Sequence, residues 1–126
     1  MDRTEAAKIV VAGTGPAGLL AALALAQGGF EISLVGPAAN QDDRRTTALM
    51  APALKFLHHL GLLAELEPHC APLRAMRIID ATQRLIRSPT VTFHASEIGE
   101  AHFGLNIPNR LMNVTFDSSV VVLVVI

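Results

Sequence analysis

Ile9-Val-Val-Ala-Gly-Thr-Gly-Pro-Ala-Gly18 is a short β-branched run feeding a G-x-G-x-x-G turn, which opens onto an alanine- and leucine-rich segment, Ala17 to Ala26. Such a turn gives each glycine a task. Gly13 lets the chain leave a strand in a tight turn, Gly15 removes the Cβ that would keep a pyrophosphate from the backbone, and Gly18 lets a helix pack close to the strand. Pro16 falls where the first helical position should be, with φ already set and no donor to waste. The free N–H groups beside it, that of Ala17 among them, would then face phosphate oxygens, with the helix dipole adding favourable charge. The flanks agree with this reading. Gly28-Gly29 stops the helix and Glu31-Ile-Ser-Leu-Val35 supplies a second strand, completing a Rossmann-like dinucleotide-binding βαβ unit.

Working outward, 126 residues are one domain's worth, long enough to bury roughly two-thirds of the unfolded surface. Ten basic and eleven acidic residues are mixed along the chain for a formal charge of −1, which leaves no electrostatic footprint for nucleic acid or an anionic membrane. The one cysteine, Cys70, has no internal disulfide partner and suits a reducing compartment. With no Trp or Tyr and five Phe, the apolar half of the composition is mostly Ala, Leu, Val and Ile, the material of an α/β core. Leu19 to Ala26 ends in a pattern resembling a signal-peptide cleavage site. The preceding residues nevertheless mix Asp2 and Glu5 with Arg3 and Lys8, and the glycine turn would break the hydrophobic helix, so secretion is not expected.

Beyond the second strand, Gly36 to Arg45 is polar and turn-prone. A helix is expected from about Ala48 to Leu60, with Ala53, Leu54, Leu57 and Leu60 on one face and Gly61 as the stop. A short helix over Leu62 to Glu67 should end before Pro68. The period then changes to two. Arg74 to Asp80, Arg84 to Ser88 and Val91 to His94 read as three strands of an added antiparallel β-meander. Asn109 to Asn113 begins like a helix without an evident amphipathic continuation. The chain closes on Val120-Val-Val-Leu-Val-Val-Ile126, too short to span a bilayer, which takes about 20 residues as a helix. That tail fits either a buried parallel strand or an exposed, self-associating terminus.

Several segments carry a more specific pattern: Val10 to Gly18, Arg45-Thr-Thr-Ala-Leu49, Leu60-Gly-Leu62, Pro72 to Ala81, Phe93 to Gly99 and Asn106-Ile-Pro-Asn109. Through them the chain resembles the amino-terminal part of the class A flavoprotein monooxygenases, specifically the ubiquinone-biosynthesis hydroxylases of the 2-octaprenyl-6-methoxyphenol hydroxylase type. The resemblance implies FAD as cofactor, NAD(P)H as co-substrate, oxygen as oxidant and hydroxylation of a prenylated phenol. It also implies a cytoplasmic protein with peripheral access to the inner membrane surface. By the same resemblance Gly13, Gly15, Pro16, Ala17 and Gly18 would carry the FAD pyrophosphate. Arg45 would reach the phosphate or ribose region, a task suited to a planar multidonor cation, and Asn109 would supply a polar cofactor contact.

The sequence departs from that pattern in two places. The family's second strand usually ends in an acidic residue that binds the adenosine ribose. Here Leu34-Val35 is followed by Gly36, so Gln41, Asp42 or Asp43 would have to replace it or leave it to water. The family's later Gly-Asp flavin motif and substrate pocket fall past residue 126. The expectation is a truncated α/β fold, with a partial FAD-binding domain over 1–113 and an atypical apolar tail over 114–126, inactive in hydroxylation by itself. The alternative is a non-catalytic dinucleotide-binding or unliganded fragment, self-associating through 120–126.

The remaining reactive residues read blandly. His58 and His59 point about 100° apart on a helix and cannot share a metal ion. His69-Cys70 lacks a third orienting group, and His94 and His102 flank Glu97 and Glu100 in a polar loop.

Overall fold

The computed structural model describes residues 8–119 and 123–125. Lys8–Ala12 forms β1, Pro16–Gln27 forms α1 and Glu31–Gly36 forms β2. β1 and β2 pair in parallel, from Lys8 opposite Glu31 to Ala12 opposite Val35. Parallel neighbours need a crossover, and α1 is that crossover. It is apolar nearly all round, as a helix covered on more than one side should be. Leu19, Ala22 and Leu23 are buried. One side of α1 meets β1 and β2, and another meets a helix from the far end of the chain.

Thr46–Met50 forms β3 and Ala51–His59 forms α2. The helix expected from Ala48 therefore starts three residues later. Residues 46–50 are held as strand by antiparallel pairing with a later strand, and Pro52 lies in the first helical turn, where its missing N–H costs nothing. The apolar period beyond it holds, with Leu54, Leu57 and Leu60 buried. α3 is only Leu63–Leu66 and ends before Pro68 as expected, with Pro68 falling inside the 3₁₀ turn over Glu67–His69 that follows.

Ala71–Pro72 forms β4, Ala75–Ile78 forms β5 and Val91–His94 forms β6. β5 and β6 pair antiparallel, Ala75 opposite His94 and Ile78 opposite Val91. The expected three-strand meander is thus a two-strand ribbon. Arg84 to Ser88 is not a strand, because the loop closes on Asp80, whose carboxylate accepts the N–H of Thr82 and of Ser88, each at 3.0 Å. After a 3₁₀ turn at Ala95–Ile98, Gly104–Pro108 forms β7, the centre of an antiparallel β3-β7-β4 sheet.

Asn109–Ser119 forms α4, the helix that covers α1. It runs six residues past Asn113, where no amphipathic continuation was expected. The stripe is real but partly polar: Asn109, Met112, Asn113, Thr115 and Phe116 are buried. Thr115 Oγ1 donates to Glu65 Oε1 at 2.9 Å and Asn113 Nδ2 donates to the Asn40 carbonyl, so both donors are satisfied in place, while Asn113 Oδ1 has no partner among the described residues. Finally Leu123–Val125 forms β8, parallel to β2, giving the order β1-β2-β8. The strand reading of the tail applies to these three residues, while Val120–Val122 and Ile126 lie outside the described residues.

The whole is mixed α/β, a Rossmann-like βαβ unit with antiparallel additions. One continuous core joins α1, β2, α2, α3, β7 and α4 through Leu19, Leu34, Leu57, Leu66, Ile107 and Phe116. Among the described residues no helix is long and apolar enough to cross a membrane.

Candidate functional site

The turn between β1 and α1 uses its glycines in three distinct ways. Gly13 has φ +120°, a backbone that side-chain-bearing residues rarely adopt, and its N–H donates to the Val35 carbonyl at 2.7 Å, tying the turn to the end of β2. A Cβ at Gly18 would collide with the Gly13 carbonyl, so the close approach the sequence suggested is to the turn's own backbone. Gly15 differs from both. Its conformation, φ −75° and ψ 176°, is open to any residue, and a Cβ there would meet no protein atom within 4 Å. Space is kept at Gly15 that no side chain or distant backbone of the described residues occupies.

Gly15 is also the N-cap of α1, and no side chain caps it. The first intrahelical bond recorded at this end is Leu19 N–H to Gly15 O, at 3.0 Å. The preceding N–H groups of Ala17 and Gly18 lie in the first turn, where a helix has no internal acceptors, and Pro16 carries no donor. An uncapped N-terminus of a twelve-residue helix beside an open Gly15 is an anion-binding arrangement.

Gly36, where the resemblance expects an acidic residue, is crowded against any side chain. A Cβ there would stand 3.0 Å from both Cγ2 and Oγ1 of Thr14. Thr14 is 5% exposed and its hydroxyl donates to the Pro37 carbonyl. Residues 14 and 36 are therefore complementary, and nothing in the sequence spacing reveals the pairing.

Asp43, Arg45, Thr47 and Asn109 come together in one network. Asp43 Oδ1 accepts the Arg45 backbone N–H at 3.0 Å and Arg45 Nε at 2.9 Å, while Oδ2 accepts Arg45 Nη2 at 2.7 Å and Asn109 Nδ2 at 3.1 Å. Asn109 Oδ1 accepts the Thr47 hydroxyl at 2.6 Å. Backbone bonds close the arrangement, from Asn109 N–H to Arg45 O and from Arg110 N–H to Asp43 O. The Arg45 side-chain bond, then its backbone N–H and then Asn109, hold the Asp43 carboxyl far below the usual carboxylate range. Asp43 in turn pushes the Arg45 guanidinium further up. Arg44 makes no ion pair among the described residues.

The other candidates stay structural. Cys70 Sγ donates to the Leu66 carbonyl at 3.0 Å, and burial, then Glu67, pushes its thiol up, which disfavours the nucleophilic thiolate. The His94 N–H donates to Glu97, closing a local cap. His58 and His102, far apart in sequence, line one apolar pocket with Leu54, Leu63 and Leu105. Among the described residues no cluster could hold a metal ion.

With this geometry in hand the comparisons are specific. A family model described as FAD binding domain matches residues 6–118. No curated protein matches the sequence. Among solved structures, the chain is similar to the flavin-dependent monooxygenase PieE in complex with FAD and substrate, at 20% identity and TM-score 0.67, covering 98% of this chain and 24% of that one. A variant of 2-methyl-3-hydroxypyridine-5-carboxylic acid oxygenase matches at 19% identity and TM-score 0.69, covering 96% and 32%. A variant of Klebsiella pneumoniae HpxO complexed with FAD matches at 21% identity and TM-score 0.64, covering 94% and 31%. These identities establish a shared fold, and the chain spans about a quarter to a third of the length of each of these structures. The match over most of the sequence and the open glycine turn agree: the chain belongs to the FAD-binding domain family.

Proposed function

We propose that this chain is the cofactor-binding portion of an FAD-dependent aromatic-ring hydroxylase and lacks hydroxylation activity by itself. The carrying observation is the open position at Gly15 beside the uncapped first turn of α1. Gly13, Gly15, Pro16, Ala17 and Gly18 would hold the FAD pyrophosphate, with backbone N–H groups as donors and the helix dipole opposing its charge. Arg45 would add a cationic contact at the phosphate or ribose region. When bound, the flavin supplies the redox chemistry of hydroxylation, and the protein supplies binding and orientation. The family description and the monooxygenase and oxygenase among the structural neighbours support this class of reaction.

The finer reading takes NAD(P)H as reductant and a prenylated phenol on the way to ubiquinone as substrate. Its support is the set of segments that resemble the ubiquinone hydroxylases, chiefly Pro72 to Ala81 and Asn106 to Asn109. Such a substrate would bring the longer protein peripherally to the inner membrane surface from the cytoplasm. Sequencing the gene beyond codon 126 tests this part: a continuation encoding a Gly-Asp segment and a substrate domain supports it, and unrelated sequence refutes it.

Cofactor binding is tested by titrating the protein with FAD and following quenching of flavin fluorescence, with Gly15→Val as control. A Cβ at 15 meets no atom of the described residues within 4 Å outside its chain neighbours and no forbidden φ, so the variant should fold with a Tm close to wild type and bind FAD at least about tenfold more weakly. A folded wild-type chain that leaves flavin fluorescence unchanged would favour the unliganded fragment instead.

A further inference from the structure

Arg45 is the exposed partner in its network, with 81% of its side chain accessible against 10% for Asp43. An arginine so exposed ordinarily samples many rotamers, and fixing it costs side-chain entropy. Here it is fixed on two sides of the same carboxylate, through Nε and Nη2. The carboxylate is itself fixed. A carboxylate offers about four lone-pair sites, and Arg45 N–H, Nε, Nη2 and Asn109 Nδ2 fill them. Asn109 is oriented by the Thr47 hydroxyl on its Oδ1 and by its backbone N–H on the Arg45 carbonyl. The chain of support runs from β3 through the first residue of α4 to the loop before β3.

That accounting has a chemical consequence. Asp43 has no acceptor site left, so a sugar hydroxyl seeking an acceptor finds none there. Arg45 has spent Nε and one hydrogen of Nη2, leaving both hydrogens of Nη1 and one of Nη2 along the guanidinium's outer edge. This is the paired-donor edge that matches two oxygens of a phosphate. The network therefore presents donors outward and hides its acceptors.

We propose that Asp43, steadied by Asn109 and Thr47, is a positioning residue that holds Arg45 with its outer edge free for a phosphate of the bound dinucleotide, and is not a replacement for the missing ribose acid. The proposal rests on the FAD-binding reading above. It gives Asn109 a role behind Arg45 in place of direct contact with the cofactor, and it makes the site selective for an anionic acceptor over a neutral hydroxyl.

The test is a double-mutant cycle on FAD affinity, using the whole chain with Asp43→Asn, Arg45→Ala and the double variant, each checked by Tm. Asp43→Asn should weaken FAD binding about tenfold. In the Arg45→Ala background the same substitution should change affinity less than twofold. An Asp43→Asn effect of equal size in both backgrounds, or wild-type affinity in Asp43→Asn or in Arg45→Ala, overturns the positioning role. A ligand-free readout separates the two failures. The Arg45 Nε–H signal in nitrogen-15 NMR should be sharp in the wild type and exchange-broadened in Asp43→Asn. With that contrast present, a wild-type chain that fails to bind FAD refutes the cofactor reading and, with it, the positioning role. A contrast that is absent refutes the clasp itself.

Discussion

The βαβ unit and the β5–β6 ribbon are built from similarly apolar sequence, yet they differ in what covers it. Leu19 and Leu34 are fully buried between α1, β2 and α4, whereas Ile78, Val91 and Phe93 on the ribbon are 56%, 42% and 44% exposed, and Leu85 and Ile86 in its connecting loop are more so. A two-stranded ribbon cannot cover itself; it needs a third strand or a helix for independent stability. β1 shows the same imbalance on one face only: α1 covers one face, while Val10 on the other is 68% exposed. Apolar composition alone therefore says little about where the stability lies. The difference comes from α4, which returns from the far end of the chain to seal α1.

The contrast can be broken from its strong side first. Gly18→Ala places a Cβ against the Gly13 carbonyl, and backbone cannot step aside as a side chain would. The cost should reach or exceed the about 1–3 kcal/mol of ordinary overpacking, read as loss of soluble folded protein or a large drop in urea midpoint. Wild-type stability in Gly18→Ala would refute the close approach. Leu34→Ala empties the centre of the core from a fully buried position and should cost about 2–5 kcal/mol in urea unfolding.

Acid extends the comparison to two loops, because Asp43, between β2 and β3, and Asp80, in the ribbon's connecting loop, both have depressed pKa values. Asp43 is lowered chiefly by the Arg45 side chain, and Asp80 by the Thr82 hydroxyl and then the N–H groups of Ser88 and Thr82. A folded pKa below the unfolded one stabilises above the unfolded value, about 3.9 for Asp, and that stabilisation is lost as pH falls through the folded value. Urea midpoints should decline below about pH 5. Asp43→Asn should flatten that decline more than Asp80→Asn, since the shift at Asp43 is the larger and rests on a charged partner. Equal slopes in all three proteins would remove both carboxylates from the account.

The smallest effect belongs to the ribbon loop. Leu85→Ser should change stability by no more than about 0.5 kcal/mol, because Leu85 touches almost nothing. A cost above about 1 kcal/mol would mean that the loop is covered in solution.

Much of the βαβ unit was legible because its signals are local. The β-branched run, the glycine spacing, Pro16 and Gly28-Gly29 each act on their own stretch of backbone, and β1, α1 and β2 appear within a residue or two of their expected bounds. The errors fall where a distant partner decides. Residues 48–50 carry a helical period but are strand because β7 lies beside them. Arg84 to Ser88 alternates like a strand but pairs with no strand among the described residues, while Asp80 offers the Ser88 N–H another acceptor. The far half of α4 hides its stripe in Asn113 and Thr115, whose partners Asn40 and Glu65 stand 73 and 50 residues away.

The sequence by itself determined the glycine turn between β1 and α1, since φ restrictions, missing donors and absent Cβ atoms are properties of single residues. Only the tertiary structure decided that Thr14 fills the space at Gly36 and that Asp43, Thr47 and Asn109 converge on Arg45. Hydrogen bonds and steric exclusion act over about 3–4 Å, and only the folded chain brings residues 14 and 36, or 43 and 109, within that range.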